Sequence, residues 1–294
     1  MAENILDIQN LTKSYGAKAV LKGVDLQVPR GAVVGLMGSN GSGKSTLIKC
    51  LLGLLNSNGG RAAIFGHDIG DLPPRAKARL GYVPQVVYLY PWMKARHVIA
   101  YTGSFYANWD RAWVEELCTR LNVALDTRVQ ALSTGQLQTL ALVLALGHHP
   151  ELLILDEPVA SLDPIARRDF LRTLLEMADD GALTVFFSTH ISSDLERVAT
   201  HVAMLREGRI AYFAELDELK DKVKRLRLRA EAEFPANFAV PGALHTRVEG
   251  KNALAAVTDV SAELLDALRA QWHAEIRVED LNLEEIFVEL NSHV

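Results

Sequence analysis

Cysteine is scarce. The chain has Cys50 and Cys118 only, far apart and in no metal-binding or redox spacing, which excludes a disulfide framework or a zinc cluster. Both thiols are expected to be small buried apolar side chains in a reducing compartment. Long hydrophobic runs are missing too: the longest candidate, Leu140 to Leu146, is far short of the ~20 residues a membrane-crossing helix needs. Met1-Ala2-Glu3-Asn4 opens no charged segment followed by an apolar one, so no signal peptide is expected. A basic excess is absent as well. The formal net charge is −5, against the usual footprint of a nucleic-acid binder, and no nucleic-acid partner is expected. These absences describe a cytosolic chain whose membrane role, if any, comes through another protein.

What remains is ordinary globular material. With 294 residues, 49% of them hydrophobic and 23% charged, the chain can bury one large core, or one plus a smaller one.

The most specific stretch is Gly38-Ser39-Asn40-Gly41-Ser42-Gly43-Lys44-Ser45-Thr46, between the apolar segment Ala32 to Met37 and a helix expected from near Ser45. Glycines at this spacing let successive N–H groups turn inward around phosphates, and the positive end of the helix reinforces the field. Lys44 then reaches the β- and γ-phosphates, and the Ser45 hydroxyl serves the Mg²⁺ that bridges them. This is a site for ATP or GTP.

Other segments supply chemistry around it. Leu152-Leu153-Ile154-Leu155 is apolar at every position and ends in Asp156-Glu157, as a strand buried on both faces of a parallel sheet would be. Ligands bind at the carboxyl ends of such strands, so Asp156 is placed to hold Mg²⁺ and Glu157 to act as general base. Leu183 to Thr189 repeats the pattern and ends in His190, in reach of the γ-phosphate. Gln85 follows the short apolar stretch Leu80 to Val83, where its amide can face the γ-phosphate and Mg²⁺ from a loop.

Ser133 precedes a helical run and suits an N-cap, and Gly135 leaves room for a ligand. A capped helix start and a second anion site both fit. Tyr15, on the turn between strands at Ile5 to Ile8 and Val24 to Val28, is either a packed surface ring or a platform for a base. Between about Val86 and Pro150 the pattern turns helical, with Tyr88, Tyr90, Trp92, Tyr101, Phe105, Tyr106, Trp109 and Trp113. Most of these rings are expected in a core, the rest along a groove for a partner helix.

In this order, these pieces resemble the nucleotide-binding subunit of ABC transporters. The resemblance runs from Tyr15, as the ring that stacks on adenine, through the P-loop, Gln85, the signature Leu132 to Gln136, Asp156-Glu157 and the turn at Asp163 to His190. It implies an α/β fold: a P-loop NTPase core of mostly parallel sheet with an antiparallel β subdomain and a helical insertion, plus a small α+β C-terminal domain. An ABC ATPase domain over 1–218, with its helical subdomain at about 86–150, and an accessory domain over 219–294 are expected. The cofactors implied are ATP and Mg²⁺. The partners implied are a second copy of the chain, which closes head to tail so that Ser133, Thr134, Gly135 and Gln136 face the other copy's Lys44 and Asp163 lies at the contact, and a polytopic transmembrane permease on a separate chain. That places the protein on the cytoplasmic face of the cell membrane.

Two positions depart from the family pattern: Thr134 stands where glycine is usual, and Leu137 where a basic residue commonly follows the glutamine. Beyond Leu219, Lys222 to Arg229 reads as an edge strand with a basic face, or as a contact for anionic lipid head groups. The closing Leu283-Glu284-Glu285-Ile286-Phe287 is similar to the end of bacterial exporter-type subunits. Export is therefore the leading expectation, with an importer subunit and a non-transport ABC ATPase as alternatives.

Overall fold

Strands buried along their whole length fill the interior of one sheet, and strands that alternate form the others. The computed structural model describes residues 4–179 and 181–291; Met1 to Glu3, where no leader pattern was read, lie outside them. Two compact units divide between Phe213 and Ala214.

The first unit runs β1 (Asn4–Tyr15), β2 (Lys18–Pro29), β3 (Val33–Met37), α1 (Lys44–Leu51), β4 (Gly59–Ile64), β5 (His67–Asp68), α2 (Pro74–Lys77) and β6 (Leu80–Val83). It continues with α3 (Ala95–Gly103), α4 (Arg111–Arg120), α5 (Thr134–Leu146), β7 (Leu152–Asp156), α6 (Pro164–Ala178), β8 (Thr184–Thr189), α7 (Ser192–Val198), β9 (His201–Arg206) and β10 (Arg209–Glu215). The main sheet has the order β10-β9-β3-β8-β7-β6, with β9, β3, β8, β7 and β6 parallel neighbours in turn. Every residue of β3, β7 and β8 is buried, as expected where both faces are covered. The second sheet, β2-β1-β4-β5, is antiparallel.

One hydrophobic core joins them. Leu47, Ile48 and Leu51 of α1 lie in the same cluster as Leu6 and Ile8 of β1 and Leu36, Ile154 and Phe186 of the main sheet. The P-loop helix is thus clamped between two sheets, and truncating Leu47 to alanine would cost about 2–5 kcal/mol. Helix α7 presses on the strand that feeds the loop so closely that a Cβ on Gly35 would fall 1.8 Å from Leu195 Cδ2.

Helices α3, α4 and α5 form the helical region, around a small core of Ala95, Val98, Val129, Leu132, Leu140 and Leu144. The expectation that most of its aromatic rings are buried is overturned. Tyr88, Trp92 and Phe105 are 87, 68 and 69% exposed, and Tyr90 and Tyr101 are exposed as well, while Tyr106, Trp109 and Trp113 are half-buried. Aliphatic side chains already fill the interior, and the rings pack on one another outside it: Tyr90 meets Trp92 and Tyr101 with centroids 5.4 and 5.5 Å apart, and Tyr101 meets Phe105 at 5.1 Å.

The second unit contains α8 (Leu216–Lys222), β11 (Val223–Arg229), β12 (Ala243–Glu249), β13 (Asn252–Thr258), α9 (Ala262–Trp272), β14 (Glu275–Asp280) and α10 (Leu283–Asn291). Its sheet is antiparallel with order β12-β13-β11-β14, so β11 is an inner strand and not the edge its charges led us to expect. Three of its basic side chains meet carboxylates: Arg225 bonds Glu285 and Glu289 of α10 at 3.0 and 2.8 Å, Arg227 bonds Glu279 at 2.8 Å, and Lys224 bonds Asp280 at 2.7 Å. Helix α10 starts with a reciprocal cap, Asn282 Oδ1 accepting from Glu285 N at 2.9 Å and Glu285 Oε2 from Asn282 N at 3.1 Å. The Leu-Glu-Glu-Ile-Phe motif is therefore a capped helix start with a clamp for Arg225. Among the described residues no helix is long and apolar enough to cross a membrane.

Candidate functional site

Parallel strands in register deliver their last residues to one edge of the sheet. Asp156 stands opposite Ser188, and Met37 opposite Thr189, so the loops after β3, β7 and β8 start side by side. From β3 the chain enters the P-loop at Gly38, where a Cβ would meet Leu205 O at 2.6 Å and Ser42 Oγ at 2.5 Å. It leaves the loop through Gly43, whose φ of +111° is strained for any other residue. Ser39, Asn40 and Gly41 are exposed, and Ser42, Ser45 and Thr46 are half-buried. Ser42 Oγ is itself buried and has no hydrogen-bond partner among the described residues.

The structure brings Lys44, Ser45, Asp156, Glu157 and His190 together. Lys44, only 6% exposed, donates to Gly38 O at 2.8 Å and lies 3.5 Å from Glu157 Oε1. The other oxygen of that carboxylate, Oε2, is 2.8 Å from His190 Nδ1. Glu157 therefore bridges a buried cation and a half-exposed imidazole. Its backbone holds a left-handed conformation, φ +49°, a strain that persists only where the surroundings enforce it. Here Ser188 enforces it, accepting from Glu157 N at its hydroxyl (3.0 Å) and at its carbonyl (3.2 Å).

Asp156 Oδ1 accepts from Ser45 Oγ at 3.0 Å and from Ser188 Oγ at 2.8 Å. A hydroxyl and a carboxylate are hard oxygen donors suited to Mg²⁺. Among the described residues no three His, Cys, Asp or Glu side chains converge on a metal position, so a cation here would complete its shell from phosphate oxygens and water.

Gln85 stands exposed in the loop after β6, with no hydrogen bond to Ser45 or Asp156 among those of the described residues. Tyr15 closes β1 opposite Lys18, with the Lys13 ammonium 5.4 Å from its ring centroid. The P-loop itself touches β2, where a Cβ on Gly43 would be 3.0 Å from Leu21 Cδ2. The signature residues lie elsewhere: Ser133 caps α5 in a reciprocal bond with Gln136, and Ser133, Thr134 and Gln136 are exposed. With Gly135 and Asp163 they line a cleft of about 620 Å³ that has no P-loop residue in its wall. Asp163 caps α6, accepting from Ile165 N and Ala166 N at 2.9 and 3.0 Å.

Two residues escaped the sequence reading. Ser188 is fully buried, donates to the Asp156 carboxylate and accepts from the Glu157 backbone; its signal was a hydroxyl near the carboxyl end of a buried strand. Gln138, 2% exposed, donates to Pro84 O at 3.1 Å, and its signal was an amide at the head of an apolar helix.

A family profile described as ABC transporter matches residues 21–160. The chain is also 31% identical to the bacitracin transport ATP-binding protein BcrA of Bacillus licheniformis, over 75% of this chain and 73% of that one. The chain belongs to the ABC transporter ATP-binding subunits. It is an ATPase coupled to transport. Similarity to the daunorubicin resistance ATP-binding protein DrrA3 of Streptomyces coeruleorubidus extends through both units, at 31% identity over 99% of this chain and 97% of that one. A solved structure of the ATP binding subunit of an ABC transporter superimposes with a TM-score of 0.67 at 30% identity, covering 74% of this ABC subunit and 92% of the other.

Proposed function

We propose that two copies of this chain close over two molecules of ATP with Mg²⁺, and that hydrolysis drives export of a drug, antibiotic, peptide or lipid-like compound through a separate polytopic permease. The observation that carries this reading is Glu157 held between Lys44 and His190. In the proposed reaction Lys44 turns from the Gly38 carbonyl to the phosphate oxygens. A water attacks the γ-phosphorus, its proton passes to the Glu157 carboxylate, and the bond to the β-bridging oxygen breaks to give ADP and phosphate. His190 orients Glu157 and reaches the γ-phosphate with its second nitrogen, and Gln85 enters the site from its loop. Ser45 and Asp156 would hold a Mg²⁺ ion, which would supply positive charge to the phosphates.

The cleft formed by Ser133 to Gln136 and Asp163 is proposed to complete the partner copy's nucleotide site, since it lies apart from the chain's own P-loop. The exposed rings of Tyr88, Tyr90, Trp92, Tyr101 and Phe105 support a docking face for a permease helix, because such rings favour interfaces. Export and its substrate class are supported by relatives named for bacitracin transport and daunorubicin resistance.

Phosphate release by the Glu157→Gln variant tests the chemistry. Loss of about a hundredfold or more is expected for removal of a general base; hydrolysis at the wild-type rate would refute the assignment.

A further inference from the structure

We infer that Gln138 is a positioning residue that ties the signature helix to Gln85. Helix α5 is apolar from Leu140 to its end, and a buried amide at its head needs a partner. Gln138 finds one outside its own helix: its Nε2 donates to the carbonyl of Pro84, the residue before Gln85. Pro84 has no N–H, so this carbonyl is the only polar backbone group it offers.

The same two elements are held in fixed register further along. A Cβ on Gly81 of β6 would lie 2.6 Å from Ala145 O of α5, so strand and helix meet backbone to backbone with no side chain to absorb a shift. At the other end of the link, Thr139 Oγ1 donates to Gly135 O at 3.0 Å. A continuous run of bonds therefore leads from Gln85 through Pro84, Gln138 and Thr139 to the first turn of α5, where Ser133 to Gln136 are exposed. Gln138 thereby fixes where the Gln85 loop stands relative to the exposed first turn of α5.

This inference rests on the proposed roles of Gln85 and of Ser133 to Gln136. Its test is a double-mutant cycle on the full chain, reading kcat and KM for ATP in Gln138→Met, Gln85→Ala and the double variant. Methionine keeps the length and helix propensity of Gln138 and removes the donor. Gln138→Met is expected to lower kcat roughly tenfold with KM within about twofold, and to add nothing once Gln85 is alanine. Gln138→Asn, one methylene too short to reach Pro84 O, is expected to behave alike and serves if the methionine variant fails to fold. Losses that multiply in the double variant, or a fall in Tm with kcat retained, would overturn the inference. Failure of the proposed chemistry has a different mark, hydrolysis that survives Glu157→Gln, and does not alter how the cycle is read.

Discussion

Glu157 occupies a backbone conformation that few non-glycine residues adopt, and its carboxylate divides between Lys44 and His190. Removing either neighbour leaves a buried charge short of a partner, so this group is held in place by more than its own hydrogen bonds. The departures at the signature have separate physical meanings at this scale. Leu137 packs against the helical core, so the position has been given to packing in place of a surface charge. Thr134 is exposed at the head of α5, where its side chain faces whatever closes on that turn. Thr134→Gly is therefore expected to tighten ATP-dependent self-association severalfold, roughly the effect of ~1 kcal/mol, as measured by sedimentation in an ATP titration. Weaker association in that variant would show that Thr134 makes a favourable contact.

At the scale of elements, the edge of the main sheet remote from the site is braced by Glu151. It accepts from Arg79 at 2.5 and 2.7 Å and from Arg30 at 2.7 Å, joining the segments that lead into β6, β7 and β3. Its pKa is lowered from 4.5 to about 2, chiefly by the hydrogen bonds from Arg79, which outweigh the desolvation that raises it, with Arg30 adding a smaller lowering effect. A depressed carboxylate contributes stability that is complete above its unfolded pKa and is lost as pH falls through the folded one. The window here is from about 4.5 down to about 2. Because the side chain is 37% exposed, solvent screening limits the contribution to ~1 kcal/mol or less. Glu151→Gln is expected to lower the urea midpoint at pH 7 and to converge on the wild type as pH drops through that window; a difference that persists unchanged at pH 3 would contradict this.

Elements also mark how far the sequence could be read. The runs at Leu152 to Asp156 and Thr184 to Thr189 were legible because a strand buried on both faces carries consecutive apolar side chains, here Leu152 to Leu155 and Val185 to Phe187, with its polar groups at the ends. The edge reading of Lys222 to Arg229 failed because charge on a strand does not say what faces it: the acids that cover Arg225 come from Glu285 and Glu289, on a helix distant in sequence. The aromatic rings of the helical region failed for a related reason, since hydrophobicity alone does not separate a core from an exposed cluster. Ser188 and Gln138 each stand out as a polar residue in a buried run, but their roles were not legible because their partners are set by sheet register and helix packing.

For the whole molecule, the P-loop site and the signature surface proposed to face the partner's phosphates are two surfaces that one copy does not bring together. The ends of β7 and β8 bring Asp156, Glu157 and His190 against Lys44 and Ser45 of the P-loop, while Ser133 to Gln136 and Asp163 line a separate cleft. In the proposed dimer, closure of two copies would satisfy both surfaces at once and loss of the γ-phosphate would release them, the switch a permease would follow. The most direct test is the mass and bound nucleotide of Glu157→Gln in solution with ATP and with ADP. The account predicts a dimer holding two nucleotides in ATP and a monomer in ADP. A Glu157→Gln chain that binds ATP and stays monomeric at concentrations well above its nucleotide Kd would contradict it.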